Sequence, residues 1–216
     1  MAWSRILWTG YTLLLGWLLV LQVAFSAEEN RGEPPQGTRL RSVVWMPESR
    51  ELVMTGWVNQ VNGLVEFLAC GPGGKTHESV LVLSANPVDV QAASLLLGWK
   101  PTGSAWAPEG NYEMWVEWTH KGRLHRERGE HLVYDLEEGG ALPSLQWIFT
   151  GSTFKDGQYM ALVHESLVAV YGDEWAVFNL VVPYSNNDER LVVNDDLLPP
   201  IGTPVSFIIR AGKKED

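Results

Sequence analysis

Short apolar runs of strand length recur along most of this chain, and polar turn residues separate them. Residues 112–118 alternate between apolar and polar positions, which is the period of a strand with one buried face. Further runs of this kind occupy residues 43–46, 51–58, 64–70, 146–149, 160–164, 166–171, 176–182 and 205–210. The pattern predicts a strand-rich domain built mostly from antiparallel sheets.

Residues 86–98 carry the signals of the one well-marked helix. The segment begins with a capping asparagine followed by proline, and it ends with a glycine. Val88, Ala92 and Leu95 fall on one stripe, which we expect to pack on the sheet. One helix beside many strands predicts an α+β fold.

The first 26 residues have the layout of a secretory leader. Arg5 precedes a mostly apolar run over residues 6–23, and the small residues Ala24 and Ser26 follow it. The sequence therefore predicts a signal peptide over residues 1–26. The alternative is an uncleaved N-terminal anchor, because a run of this length could span a bilayer. Both alternatives predict an extracytoplasmic protein, periplasmic or secreted.

The rest of the chain divides by composition. Residues 27–38 are polar and contain two prolines and two glycines, which predicts a flexible spacer. Residues 39–211 contain all the apolar runs, and their length suits a single domain. Residues 212–216 form a charged tail.

Cysteine content and charge exclude several classes of function. Cys70 is the only cysteine, so an intramolecular disulfide and an iron–sulfur cluster are excluded. The formal net charge of −10 at pH 7 disfavours nucleic acid as a partner, because its phosphates carry the same charge. A basic cluster occupies residues 120–128, and we expect it at a hairpin turn whose second strand returns through residues 132–134.

A glycine-rich segment, ACGPGGKT over residues 69–76, partly matches a phosphate-binding loop. Such a loop needs successive backbone N–H donors and a following helix, whereas Pro72 lacks an N–H and a strand-like run follows. We therefore predict no nucleotide, and no other cofactor.

The triplet His-Glu-Ser occurs twice, starting at residues 77 and 164, each time before an apolar strand. Adjacent strand residues face opposite sides, so one triplet alone cannot chelate a metal, although two triplets together could. Alternatively, both triplets are polar strand ends that are satisfied by solvent or by each other. The candidates are His77, Glu78 and His164 for catalysis, and His77, His164 and Glu165 for a metal.

Five long segments carry a shared pattern of apolar, glycine and polar positions: residues 63–83, 86–98, 112–118, 147–154 and 197–209. Together they resemble the YdjY-like domain, a family of exported bacterial proteins. The resemblance implies an exported single α+β domain over residues 39–211, with no assigned reaction and no catalytic residues to transfer. Polar positions that match the family are nominated, with Ser79, as a binding surface: Lys75, His77, Glu78, Thr150, Gly151 and Ser152.

The leading hypothesis is an extracytoplasmic binding or interaction module that presents residues 71–79 and 150–152. Its partner would be an envelope protein or a small molecule, with membrane contact only through an uncleaved leader. The first alternative is a metal-dependent or general-base enzyme that uses the two triplets. The second is a glycan-binding envelope protein that uses exposed tryptophans such as Trp99, Trp106 and Trp115.

Overall fold

A computed structural model describes residues 37–104, 112–180, 187 and 189–212. The expected signal peptide, nearly all of the expected spacer, Trp106 and most of the charged tail lie outside the described residues. Among the residues that are described, no helix is long and apolar enough to cross a bilayer.

Within these described ranges, strands form most of the regular structure, together with two short α-helices and two 3-10 helices. The strands are β1 (Thr38–Leu40), β2 (Val43–Met46), β3 (Glu51–Val58), β4 (Phe67–Cys70), β5 (Ser79–Leu83), β6 (Tyr112–His120), β7 (Arg123–Arg128), β8 (Val133–Asp135), β9 (Gly140–Ala141), β10 (Trp147–Phe149), β11 (Phe154–Lys155), β12 (Gln158–Tyr159), β13 (Ser166–Ala169), β14 (Phe178–Leu180), β15 (Leu191–Val193) and β16 (Pro204–Ala211). The helices are α1 (Pro87–Leu96), α2 (Met160–His164), η1 (Thr76–Glu78) and η2 (Gly129–Leu132).

Eight of these strands close into a barrel in the order β3-β16-β6-β10-β14-β13-β4-β5, and β5 pairs back to β3. The neighbours β13–β14 and β4–β5 are parallel, whereas the other barrel neighbours are antiparallel, so the sheet is mixed. Strands β1, β2 and β7 extend the barrel sheet. The prediction of a strand-rich domain is confirmed, but the fold is mostly β, and its closure was not predicted.

The barrel interior is filled by the apolar positions that alternate along its strands. In β6, Met114 and Val116 are fully buried, while Glu113 and Glu117 lie on the other face. The neighbouring β16 contributes Phe207 in register with Val116. This alternation is the pattern from which the sequence predicted a strand.

Helix α1 begins and ends close to where the sequence predicts. Its start is fixed by the Asn86 side chain, which accepts a hydrogen bond from the Val88 N–H group at 2.8 Å. The predicted packing stripe is wrong, since Val88 and Leu95 are 44 % and 48 % exposed. The buried face instead contains Val90 and Ala93. The Asp89 carboxylate on this face accepts a hydrogen bond from the Ser42 hydroxyl at 2.9 Å, which helps to orient the helix.

The prediction of a strand over residues 160–164 is wrong, because these residues form helix α2. The Ser152 hydroxyl accepts a hydrogen bond from the Ala161 N–H group in the first turn. Glu165 then adopts a left-handed conformation, with φ of 48°, and ends the helix. The apolar run over residues 160–164 is therefore a short helix, of which Met160 and Ala161 are buried.

The basic cluster covers the hairpin turn and also the strand that follows it. His120 ends β6, Lys121 and Gly122 make the tight turn at φ of 50° and 73°, and the other basic residues lie on β7, which pairs directly with β6. The prediction that the second strand returns through residues 132–134 is wrong, because β7 is that strand. In this register Arg126 lies opposite Glu117 and forms an ion pair with it at 3.3 Å. Cross-strand glutamates therefore compensate part of the positive charge.

Candidate functional site

The glycine-rich loop, residues 70–75, is in direct contact with the second His-Glu-Ser triplet. The Gly71 N–H group donates to the main-chain oxygen of Glu165 at 2.8 Å, and the Gly73 N–H group donates to the Glu165 carboxylate at 2.7 Å. A Cβ atom on Gly71 would lie 2.3 Å from that carboxylate, so glycine permits the approach. The Gly73 N–H group, which a phosphate-binding loop would use as a donor to phosphate, is thus already bonded to Glu165.

A cleft of about 430 Å³ opens beside this contact. Its residues come from β4, from the glycine-rich loop, from the end of α2, from the start of β13 and from the loop between β13 and β14. We call it the His164 cleft. It is lined by Glu66, Phe67, Lys75, His164, Ser166, Tyr171, Gly172, Asp173, Glu174 and Trp175.

Aromatic side chains form much of the surface of the His164 cleft. The His164 imidazole stacks on the Trp175 indole, with 4.1 Å between ring centroids and 11° between planes. Phe67 belongs to a small apolar cluster with Ala169 and Ala176, apart from the main core. The stacked His164–Trp175 pair is half-buried and holds a flat, rigid surface against which the apolar part of a ligand can pack, whereas Phe67 is only 2 % exposed.

Lys75 is held between two carboxylates. Its Nζ atom lies 2.7 Å from Glu66 Oε2 and 3.3 Å from Glu78 Oε2, and 5.4 Å from the centroid of the Phe67 ring. Partial burial alone would lower the pKa of Lys75, but the hydrogen bonds and charges of Glu66 and Glu78 outweigh it and raise this pKa. The lysine is therefore charged, and its charge is compensated within the protein.

Asp173 is half-buried in the loop between β13 and β14. Its carboxylate accepts a hydrogen bond from the Trp175 N–H group at 2.9 Å, while the buried Asn179 side chain holds the Asp173 backbone through two hydrogen bonds. Burial raises the pKa of Asp173, against the lowering effects of the Trp175 N–H group, the Ser166 hydroxyl and the nearby charges of Lys75 and His164. The site thus contains a carboxylate with an incompletely compensated desolvation cost.

The turn over residues 150–152, expected to be a contact surface, instead supports the cleft from inside. The buried Thr150 hydroxyl bonds to the main-chain oxygens of Ala176 and Val177, at 2.8 and 2.9 Å. The Ser152 hydroxyl donates to the main-chain oxygen of Trp175 at 2.7 Å and accepts from the Ala161 N–H group at 3.0 Å. Ser152 therefore links the segments that carry Trp175 and His164, while Gly151 packs beside Pro101.

Replacement of Ser152 by alanine is expected to lower the free energy of unfolding by about 1–2 kcal/mol, because two hydrogen bonds at about 1 kcal/mol each are lost. Urea denaturation followed by tryptophan fluorescence measures the change. The matched control is Ser49→Ala, which removes an exposed hydroxyl bonded to Glu51 and should change stability by less than about 0.5 kcal/mol. Equal stability of both variants would contradict the linking role of Ser152.

The first triplet lies mostly outside the cleft. His77 is on η1 with its side chain 74 % exposed, 3.5 Å from Glu78, and Glu78 in turn pairs with Lys75. Ser79 is fully buried and donates to the main-chain oxygen of Lys75 at 2.8 Å. The two triplets are thus connected through the glycine-rich loop, but His77 and His164 do not line one cleft.

In the described part of the chain, no group of three or more His, Cys, Asp or Glu side chains is placed to hold a metal ion.

Trp99 and Trp115, the two described tryptophans among those considered for glycan binding, have other contacts. Trp99 is 3 % exposed and packs against Tyr112 in the core. Trp115 is flanked by three guanidinium groups, from Arg126, Arg128 and Arg210, at 4.7 to 5.3 Å from its ring. Trp99 is therefore closed to a sugar ring, and the half-buried Trp115 ring already lies among arginine side chains.

Sequence reasoning nominated Lys75 and His164 but missed the residues of the loop between β13 and β14. Asp173, Glu174 and Trp175 follow an apolar run and have the composition of an ordinary turn. One sequence signal could have indicated them: Asp173 and Trp175 stand close together in the short polar segment between two buried strands. That signal becomes specific only when the loop is seen to fold over β4.

Comparisons of this chain with protein-family models, with curated proteins and with solved structures found no match. The resemblance to the YdjY-like domain therefore stays a prediction. The argument for function depends on the geometry of the His164 cleft.

Proposed function

We propose that the protein is an extracytoplasmic binding module that holds a small-molecule ligand in the His164 cleft. The observation that carries this proposal is the convergence of the stacked His164–Trp175 pair, Lys75 and Asp173 on one cavity. Ligand sites typically combine apolar and aromatic walls with a few polar groups that fix orientation. A volume of about 430 Å³ lies within the range of such sites.

The compartment and the family are parts of the same proposal. The leader over residues 1–26 supports export, and the resemblance supports a single YdjY-like domain over residues 39–211. The mass of the exported protein distinguishes cleavage after Ser26 from retention as an anchor. A reporter fused after Asp216 and found in the cytosol would contradict export.

A general acid–base enzyme is the second candidate, and the grouping of His164, Asp173 and Lys75 in one cleft favours it. The exposed His77 contributes less to this alternative than the sequence suggested. The two candidates differ in the fate of a bound compound. A binding module releases its ligand unchanged, whereas an enzyme converts it, and NMR spectra of the compound after incubation distinguish the two.

A thermal-unfolding screen of the purified protein against small polar and aromatic compounds tests the binding proposal. A ligand at one hundred times its dissociation constant is expected to add about 2.7 kcal/mol to the free energy of unfolding. The Trp175→Ala variant should lose this gain, because it removes a wall of the cleft. Phe154→Ala, which removes an aromatic ring that is 73 % exposed and outside the cleft lining, should keep it. A gain that survives in Trp175→Ala would place the ligand elsewhere.

A further inference from the structure

We propose that the His164 cleft selects a small organic cation, an ammonium compound whose charged group lies against Asp173 and whose carbon atoms pack on Trp175. This inference rests on the proposed function, because it takes the cleft to be a ligand site. It adds the chemical class of the ligand.

The first argument is the balance of charge in the cleft. Lys75 is already engaged by Glu66 and Glu78, at 2.7 and 3.3 Å, so it offers little uncompensated positive charge to an anion. Asp173 and Glu174 add two further carboxylates to the lining. Within the part of the chain that the structure describes, neither of them is in an ion pair. The lining thus holds three carboxylates, those of Glu66, Asp173 and Glu174, beside one lysine and one histidine. An anion entering the cleft would therefore meet an excess of negative charge, whereas a cation would reduce that excess.

The second argument is the position of Asp173. Its carboxylate is half-buried and fixed by the Trp175 N–H group and by the hold of Asn179 on its backbone. Burial raises the pKa of Asp173, which means that the negative charge is costly at this half-buried position. A bound cation compensates that cost and benefits from a carboxylate that is already in position.

The third argument is the aromatic lining. The face of an aromatic ring attracts a cation, and the indole of tryptophan does so best. Trp175 is held by its stack on His164, and Tyr171 and Phe67 also line the cleft. The protein already places one ammonium group, that of Lys75, over the Phe67 ring at 5.4 Å. Carboxylate and aromatic walls together suit an organic cation better than a bare metal ion, which prefers several oxygen ligands.

Isothermal titration calorimetry with matched probes tests this inference on the purified exported protein. The probes are choline, its uncharged carbon isostere 3,3-dimethylbutan-1-ol, acetate and calcium chloride. We expect choline to bind about tenfold or more tightly than the isostere, because only choline carries the charge that Asp173 and Trp175 attract.

The decisive variant is Asp173→Asn, which keeps the shape of the side chain and its acceptor for the Trp175 N–H group. It is expected to weaken choline binding by about tenfold or more and to leave the isostere unchanged. The matched control is Asp156→Asn, at an exposed turn outside the cleft lining, which should bind choline as the unmodified protein does. If Asp173→Asn fails to fold, Trp175→Leu provides the second test, since it keeps apolar bulk and removes the indole.

The outcomes separate this inference from the proposed function. Equal choline affinity in the unmodified protein and in Asp173→Asn overturns the inference. Acetate or the isostere binding as tightly as choline, with loss in Trp175→Leu, also overturns it but leaves the cleft a ligand site. If calcium binds, choline does not, and Asp173→Asn abolishes calcium binding, then the ligand is a metal ion and the proposal of an organic cation is overturned. Failure of all four probes overturns the inference, and only failure of the broader screen also overturns the proposed function.

Discussion

Replacement of Glu130 by alanine is expected to remove about 3–5 kcal/mol from the free energy of unfolding, the range observed when one partner of a buried ion pair is deleted. Glu130 is 0 % exposed. Its carboxylate accepts hydrogen bonds from the Leu145 N–H group and the Trp147 indole, both at 3.0 Å, and lies 2.7 Å from an Arg128 nitrogen. Alanine would leave buried donors unpaired and the Arg128 charge less compensated, beside a cavity.

Two further variants, both expected to lose less stability than Glu130→Ala, serve as comparisons in urea denaturation experiments. Glu130→Gln keeps acceptor oxygen for the neighbouring donors and removes only the charge, so its loss should be smaller than that of alanine. Glu127→Ala breaks the hydrogen bond between the Glu127 carboxylate and the His131 imidazole, at 2.6 Å, but both side chains are partly exposed and the contact should contribute less than about 1 kcal/mol. Similar losses for Glu130→Ala and Glu127→Ala would show that the buried carboxylate does not stabilise the fold as argued.

Replacement of Gly56 by alanine is expected to cost roughly 3 kcal/mol or more, at or above the upper end for overpacked sites. Gly56 lies opposite Leu83 in the pairing of β3 with β5, which closes the barrel. A Cβ atom at Gly56 would lie 2.2 Å from the main-chain oxygen of Val82 and 2.9 Å from the Leu83 Cα atom. Both contacts are with backbone, so relief requires the two strands to separate where the barrel closes.

The matched control is Gly140→Ala, another glycine in a strand. A Cβ atom there has no neighbour within 4 Å, so the expected change is within about 0.5 kcal/mol of zero. Thermal and urea unfolding of the two variants measure the difference. A Gly56→Ala variant as stable as the unmodified protein would mean that the pairing of β3 with β5 tolerates a wider spacing.

Local patterns account for the elements that the sequence predicted well. Alternation over residues 112–118 identified β6, and the capping asparagine identified the start of α1. Each signal acts between residues a few positions apart, so it is present whatever the rest of the chain does. The prediction for residues 160–164 was wrong because a five-residue apolar run suits a strand and a short helix equally well. The hydrogen bond from Ala161 to Ser152 favours the helix, and the run itself does not contain that information.

The sequence by itself determined the strand-rich class, the capped helix α1 and two residues that line the His164 cleft, Lys75 and His164, through motifs that stand out in a short stretch. Only the tertiary structure decided that β3 and β5 close a barrel, and that the Gly73 N–H group meets the Glu165 carboxylate from 92 positions away. It also decided that Asp173 and Trp175 fold over β4 to complete the cleft. The physical reason is that these contacts depend on packing between distant segments, which leaves no periodicity in the chain.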